Sequence, residues 1–204
     1  VAAPPLADEA FRLEIDIRGH PIGRPDTYAA AFGGLNSISF DSSGVVVEPL
    51  DLGDEVFGRL EEEFTLVFTG HSRSASSVLS EQPEDEADRL ARLRVIRAQA
   101  DEARAHLECG DLAGLGALLE EAWQAKRGIT ASVSNAELDA LHDRLMAAGA
   151  SGAKLLGAGG GGFFLVHGAA SLRQRLAAEL GDEHRIIPLA VDHDGSTIIH
   201  DGSE

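Results

Sequence analysis

The chain has 204 residues, enough for one large domain or for one domain plus part of another, and its 44% hydrophobic content is that of an ordinary globular protein. Lys and Arg number 17 against 34 Asp and Glu, and the resulting net charge of -17 repels polyanions, which counts against a nucleic-acid partner. One cysteine, Cys109, excludes an internal disulfide framework and suits a reducing compartment, so the cytoplasm is the expected location. No run approaches the ~18 apolar residues of a membrane span, and Val1 to Leu6 lack the basic flank and apolar core of a secretory signal. The start on valine, with the only methionine at Met146, reads as a chain cut at its N-terminus. Lys126 and Lys154 stand out against a background of arginine.

Leu6, Ala10, Leu13 and Ile17 recur at helical spacing, and the pattern stops at Gly19 with Pro21 close behind. After a short loop, Asp26 is placed to cap a brief helix over 28–32, which Gly33 and Gly34 end. Two short strands, near 35–40 and 45–48, flank the turn Asp41-Ser42-Ser43-Gly44. The acidic stretch 51–63 reads as a boundary between subdomains, and Phe64-Thr65-Leu66-Val67-Phe68 as a buried strand.

Helices follow. Leu90, Leu93, Ile96, Ala100 and Leu107 trace one apolar stripe, and Leu112, Leu115, Leu119, Ala122 and Trp123 trace a second beyond the Gly110 stop. Ser134-x-x-Glu137 is a capping box for a third stripe of Leu138, Leu141 and Leu145. A glycine-rich hairpin comes next, then a helix from Ser171 through Leu180 and a last strand over 185–189, leaving the polar tail from Asp192 as a hairpin or frayed end. From residue 64 the order is strand, helices, strand, strand, helix, strand, which is the ferredoxin-like split βαβ order with extra helices in the first crossover.

The glycine-rich segment, Gly152-Ala153-Lys154-Leu155-Leu156-Gly157-Ala158-Gly159-Gly160-Gly161-Gly162, carries the most information. Each glycine in sheet-like sequence costs roughly 0.5–1 kcal/mol of backbone entropy relative to alanine, so four in a row imply that something lies against bare main chain, a phosphate or a sugar being the obvious candidate. Gly157-x-Gly159-x-x-Gly162 spells the dinucleotide fingerprint, but Phe163 to Val166 continue as a strand where that fingerprint must open a helix. A glycine hairpin without any ligand is the plainer alternative.

The segment resembles the third conserved motif of the GHMP small-molecule kinases, close to Gly-x-Lys-Leu-Thr-Gly-Ala-Gly-Gly-Gly-Gly, and departs from it only at Leu156. A second block, Gly19-His20-Pro21-Ile22-Gly23-Arg24-Pro25-Asp26-Thr27-Tyr28 and onward to Asn36, is similar to the catalytic-aspartate region of that superfamily. In the branch that phosphorylates heptose 7-phosphates this block typically reads Pro-Ile-Gly-Lys-Gln-Asp-Gln-Tyr-Ala-Ala-Ala. Val47-Glu48-Pro49-Leu50 and Thr69 to Ser76 agree further, so the resemblance covers nearly the whole chain. It implies an α+β fold, with a ferredoxin-like GHMP C-terminal domain over 51–204 and, over 1–50, the end of an S5-like N-terminal domain carrying the aspartate segment.

The same resemblance implies an ATP-dependent sugar kinase, nearest to the heptose 7-phosphate branch, that uses magnesium and phosphorylates an anomeric hydroxyl. Asp26 would accept or orient the hydroxyl proton, while Arg24, standing where that branch has lysine, and Arg73 with Ser74 would meet the substrate phosphate. Lys154 and Gly157, Gly159, Gly160, Gly161 and Gly162 would form the nucleotide side, and Glu14 is a weak counterpart of a magnesium-associated glutamate. Each has a plainer reading: Asp26 as a helix cap, Glu14 on a wet helix face, Arg73 in solvent beside capping serines. Lys126 and Arg127 read as complements to a helix dipole, and the Asp192-His193-Asp194 and His200-Asp201 clusters as solvated turns rather than metal ligands. Neither the family's Pro-x-x-x-Gly-Leu-Gly-Ser-Ser-Ala phosphate loop nor a Walker loop occurs in the 204 residues, so the chain resembles the C-terminal half to two-thirds of a kinase. A non-catalytic remnant that binds a sugar phosphate or docks on another chain is the alternative.

Overall fold

The computed structural model describes residues 2–19, 23–71, 86–127 and 133–199, with the side chains of 86–89, 92 and 93 left out. Two compact units emerge: Val1–Asp51 together with Ala190–Glu204, and Leu52–Leu189. The break near residue 51 falls where the acidic stretch begins, whereas the tail from Ala190 groups with the first unit instead of the second.

In the first unit α1 (Ala3–Arg12) starts on an extended Ala2, with Pro4 in the first turn where a missing N–H costs nothing. Its buried contact is Ala7, which packs with Tyr28 and Ala31 of α2 (Pro25–Phe32). The expected stripe breaks after Ala10 because Leu13–Ile17 form a π-helical turn, which rotates Leu13 and Ile17 outward and leaves Ile17 74% exposed. Strands β1 (Asn36–Asp41) and β2 (Gly44–Pro49) pair antiparallel around the predicted turn, where the Asp41 carboxylate accepts bonds from the Ser43 amide and hydroxyl and from the Gly44 amide. The tail is neither hairpin nor frayed end as far as Ile199. Gly34 N–H donates to Asp192 O at 2.6 Å and Ser196 Oγ to Ala30 O at 2.9 Å, so it lies along the end of α2.

The second unit opens with α3 (Gly53–Glu63), a helix where an acidic boundary was expected; burial of Leu60 gives it an inner face. Then come β3 (Phe64–Phe68), α4 (Glu86–Glu108), α5 (Leu112–Arg127), α6 (Ala136–Ala147), β4 (Gly152–Leu155), β5 (Phe163–His167), α7 (Leu172–Leu180) and β6 (Ile186–Pro188). The four strands form one antiparallel sheet in the order β4-β5-β3-β6. That is the ferredoxin-like arrangement expected from element order, with α4, α5 and α6 among the described residues of the first crossover.

The core lies where α5, α6 and α7 cover one sheet face: Trp123, Leu138, Leu145 and Leu176 pack against Val67, Leu155, Phe164 and Val166. The cap of α6 sits one residue later than expected. Asn135, in extended conformation, accepts from the Glu137 and Leu138 amides, and Ser134 Oγ instead donates to Asp139 Oδ1 at 2.7 Å. Helix α7 begins at Ser171 as predicted, but without a side-chain cap. Helix α5 approaches β4 so closely that a Cβ on Gly152 would strike the Gly116 carbonyl, so the strand can pass under the helix only as glycine.

Candidate functional site

In the first unit Asp26 is not the cap of its helix. Pro25 takes the first helical position, Arg24 precedes it in helical conformation with no side-chain cap, and Asp26 stands second, exposed, in the first turn. A carboxylate there is favoured by the helix dipole and is free to meet a ligand. It borders a cavity of about 510 Å³ with Leu6, Ala10, Thr27, Ser196 and Ile198. Thr27 Oγ1 donates to Arg24 O at 2.9 Å, which steadies the turn.

Arg24 lies over the Phe11 ring, 4.9 Å from its centroid, and lines a second cavity of about 350 Å³ with Asp8 and Tyr28. The Tyr28 hydroxyl donates to Asp8 Oδ1 at 2.6 Å and ties α2 to α1; this bond, burial and the Asp8 charge raise the Tyr28 pKa. Glu14 accepts from Arg18 at 3.1 Å within the π turn. Among the described residues no group of three or more His, Cys, Asp and Glu is arranged to hold a metal ion. Of the tail clusters, Asp192 turns its carboxylate back to the Asp194 amide, and His200 and Asp201 lie outside the described residues.

In the second unit the loop between β4 and β5 is closed by Leu156 N–H donating to Phe163 O. Gly159, Gly160 and Gly161 are buried, and much of what lies against their main chain is the chain's own. Gly160 N–H donates to Val133 O, and Gly162 N–H to His71 O and Thr69 Oγ1, all at 2.9 to 3.1 Å. Gly159 has φ +112, and a Cβ there would stand 3.0 Å from Val133 Cα and O. Gly157 differs from Gly159: nothing lies within 4 Å of its Cβ position and the residue is exposed. The partner for bare backbone is thus internal at three of the glycines, leaving Gly157 and its surroundings as the accessible part of the loop. Arg73 and Ser74 lie outside the described residues.

Sequence reasoning gave Lys126 only a helix-dipole role. Its Nζ donates to Leu155 O at 3.0 Å and to Gly157 O at 2.6 Å, clamping the last turn of α5 onto the entry of the glycine loop. Burial, and secondarily the charge of Lys154, lowers its pKa to about 8; burial also lowers that of Lys154. The available signal was scarcity: these are the only two lysines in the chain.

Residues 100–182 match the GHMP kinases C terminal family. The chain is 31% identical over 161 residues to D-glycero-alpha-D-manno-heptose 7-phosphate kinase of Campylobacter jejuni, a match covering 78% of this chain and 48% of that protein. Among solved structures, a Campylobacter jejuni protein aligns over 96% of this chain and 56% of its own at TM-score 0.71 and 26% identity. A D-glycero-D-manno-heptose 1-phosphate kinase of Bacteroides thetaiotaomicron aligns over 93% and 52% at TM-score 0.67 and 24% identity, a likeness of fold. The chain thus spans about half the length of these relatives. No helix among the described residues is long and apolar enough to cross a membrane. These matches show the resemblance to the GHMP kinases, whose C-terminal family model is matched by residues 100–182.

Proposed function

We propose that this chain is part of an ATP-dependent sugar kinase that moves the γ-phosphate to the anomeric hydroxyl of a heptose 7-phosphate or a closely related sugar. The observation that carries this is the 31% identity over 161 residues to a heptose 7-phosphate kinase, together with the exposed Asp26 at the start of α2. In this reading the Asp26 carboxylate accepts or orients the proton of the attacking hydroxyl, and its exposed place in the first turn of α2 leaves it accessible to the sugar. Arg24, Arg73 and Ser74 hold the sugar's own phosphate. Lys154 and the open backbone at Gly157 suit nucleotide phosphate oxygens, whereas the amides of Gly160 and Gly162 are already committed and hold the loop in shape. Magnesium would neutralise charge on the nucleotide phosphates, and Glu14 is the residue that the resemblance offers toward it.

The test is a panel of sugars and sugar phosphates with ATP and magnesium, followed by 31P NMR, on this chain and on a version extended at its N-terminus. Heptose 7-phosphate should be converted to a bisphosphate, and Asp26→Asn should lower turnover by roughly 10²–10⁴-fold. An Asp26→Asn enzyme with full turnover refutes the assignment of the base. Binding of heptose 7-phosphate without transfer by either version supports a non-catalytic sugar-phosphate-binding domain instead.

A further inference from the structure

The chain's two lysines share one apolar groove. Val95, Ile96 and Ala103 of α4, Leu115 and Leu119 of α5, and Leu156 line a cavity of about 620 Å³ whose polar side chains are Gln99, Lys126 and Lys154. Val95 and Ile96 remain about half exposed, at 48% and 51%, because the stripe of α4 faces this open space instead of a packed neighbour. Strand alternation accounts for Lys154: Ala153 and Leu155 go to the core, so the side chain between them goes elsewhere and reaches the groove.

Both lysines are half-buried, and among the described residues neither is paired with a carboxylate, in a chain with twice as many acidic as basic residues. Among the described residues, the hydrogen bonds of Lys126 go to backbone carbonyls. Two cations drawn partly out of water, close enough to repel each other and with no carboxylate partner among the described residues, lack there the pairing that partly buried charges normally have. An anion placed between them removes that deficit. The walls define the rest of the occupant: they are hydrocarbon, and apart from Gln99 they offer no side-chain partner for the ring nitrogens and hydroxyls of a nucleoside.

We propose that the groove between α4, α5 and the end of β4 binds an amphiphilic anion, a hydrocarbon body carrying a single carboxylate or phosphate head held by Lys126 and Lys154. Contact with Lys126 couples such a ligand to the glycine loop, since the same ammonium holds the Leu155 and Gly157 carbonyls.

The experiment is calorimetric titration of the chain with decanoate, decyl phosphate, decanol, decyltrimethylammonium and ADP, all below micelle formation. It reads binding and not catalysis, and ADP is included because the kinase reading places Lys154 on the nucleotide side; decyl-anion binding without ADP competition separates the two. Either decyl anion should bind at least about tenfold more tightly than the alcohol or the cation, decanoate and decyl phosphate reporting which head is preferred. Lys154→Met should weaken the anions about tenfold or more, and Ala103→Phe, which fills the groove without touching the lysines, should abolish binding while Trp123 fluorescence still reports a folded core. Equal binding of the alcohol or cation, absence of anion binding, or ADP displacing decanoate from the wild-type chain but not acting on Ala103→Phe overturns the proposal. So does light scattering that shows a dimer dissociated by Ile96→Glu, because the groove would then seat a second copy.

Discussion

Lys126 offers the sharpest test of the clamp on the glycine loop. Its pKa lies at about 8 against an ordinary 10.5, chiefly because burial penalises the ammonium and secondarily because Lys154 repels it. At neutral pH folded and unfolded chains both hold the proton, and the folded state carries the full penalty. Between about 8 and 10.5 the unfolded chain keeps the proton that the folded chain has released, so stability climbs with pH, by up to about 1.4 kcal/mol per pH unit. Over that interval the gain is on the order of 2–3 kcal/mol once residual solvent contact is allowed for. Lys126→Met removes both the penalty and the two ammonium–carbonyl bonds. Each such bond is worth roughly 1.5–3 kcal/mol, so the terms offset and the variant should lie within about 2 kcal/mol of wild type near neutrality. What distinguishes them is slope. Urea unfolding followed by the fluorescence of Trp123, the only tryptophan and fully buried in the same helix, should show wild type gaining on the variant as pH rises from about 8 to about 10. A stability difference that stays flat across that range refutes a buried, carbonyl-bound ammonium.

Two other perturbations probe the frame around the loop. Gly159→Ala should cost about 1–3 kcal/mol, since φ +112 strains any side chain and Val133 backbone blocks the Cβ, whereas Gly157→Ala shares the left-handed strain, at φ +65, but meets no neighbour and should cost less; equal shifts in urea midpoint contradict the geometry. Glu120 Oε2 lies 2.9 Å from Nε2 of the buried His142, and although burial raises the Glu120 pKa, bonds from Gln124, His142 and the Ala153 amide bring it net below its ordinary 4.5. Glu120→Gln should therefore destabilise by about 1–3 kcal/mol near neutrality, with the deficit shrinking as acid protonates the wild-type carboxylate; a deficit that persists unchanged in acid argues against a carboxylate held by these hydrogen bonds.

Local pattern carried far because it encodes local physics. The order of strands and helices after residue 64 is written in hydrophobic runs and stop signals, and an antiparallel sheet with βαβ-type crossovers leaves few ways to arrange it, so β4-β5-β3-β6 was legible before any coordinates. The same holds for the Asp41 turn, whose bonds are all within three residues. Both glycine and aspartate blocks were legible as family motifs because their spacing is contiguous. Errors arose where a choice depended on distant partners. Ser134 and Asn135 are equally good caps by sequence, and contact with Asp139 decided which one served. Leu13 and Ile17 sit at helical spacing, yet one π turn put them in solvent.

The amino-acid sequence alone determined the fold class, the acidic character that disfavours polyanions, the two motifs and the aspartate that heads α2, since each follows from composition, periodicity or contiguous spacing. Only tertiary structure decided that the tail lies along α2, that the glycines of the loop are spent largely on Val133 and His71, and that the two lysines, 28 positions apart by their numbers 126 and 154, border one groove. The physical reason is that burial and charge pairing are properties of surroundings assembled from remote segments, and no window along the chain contains them.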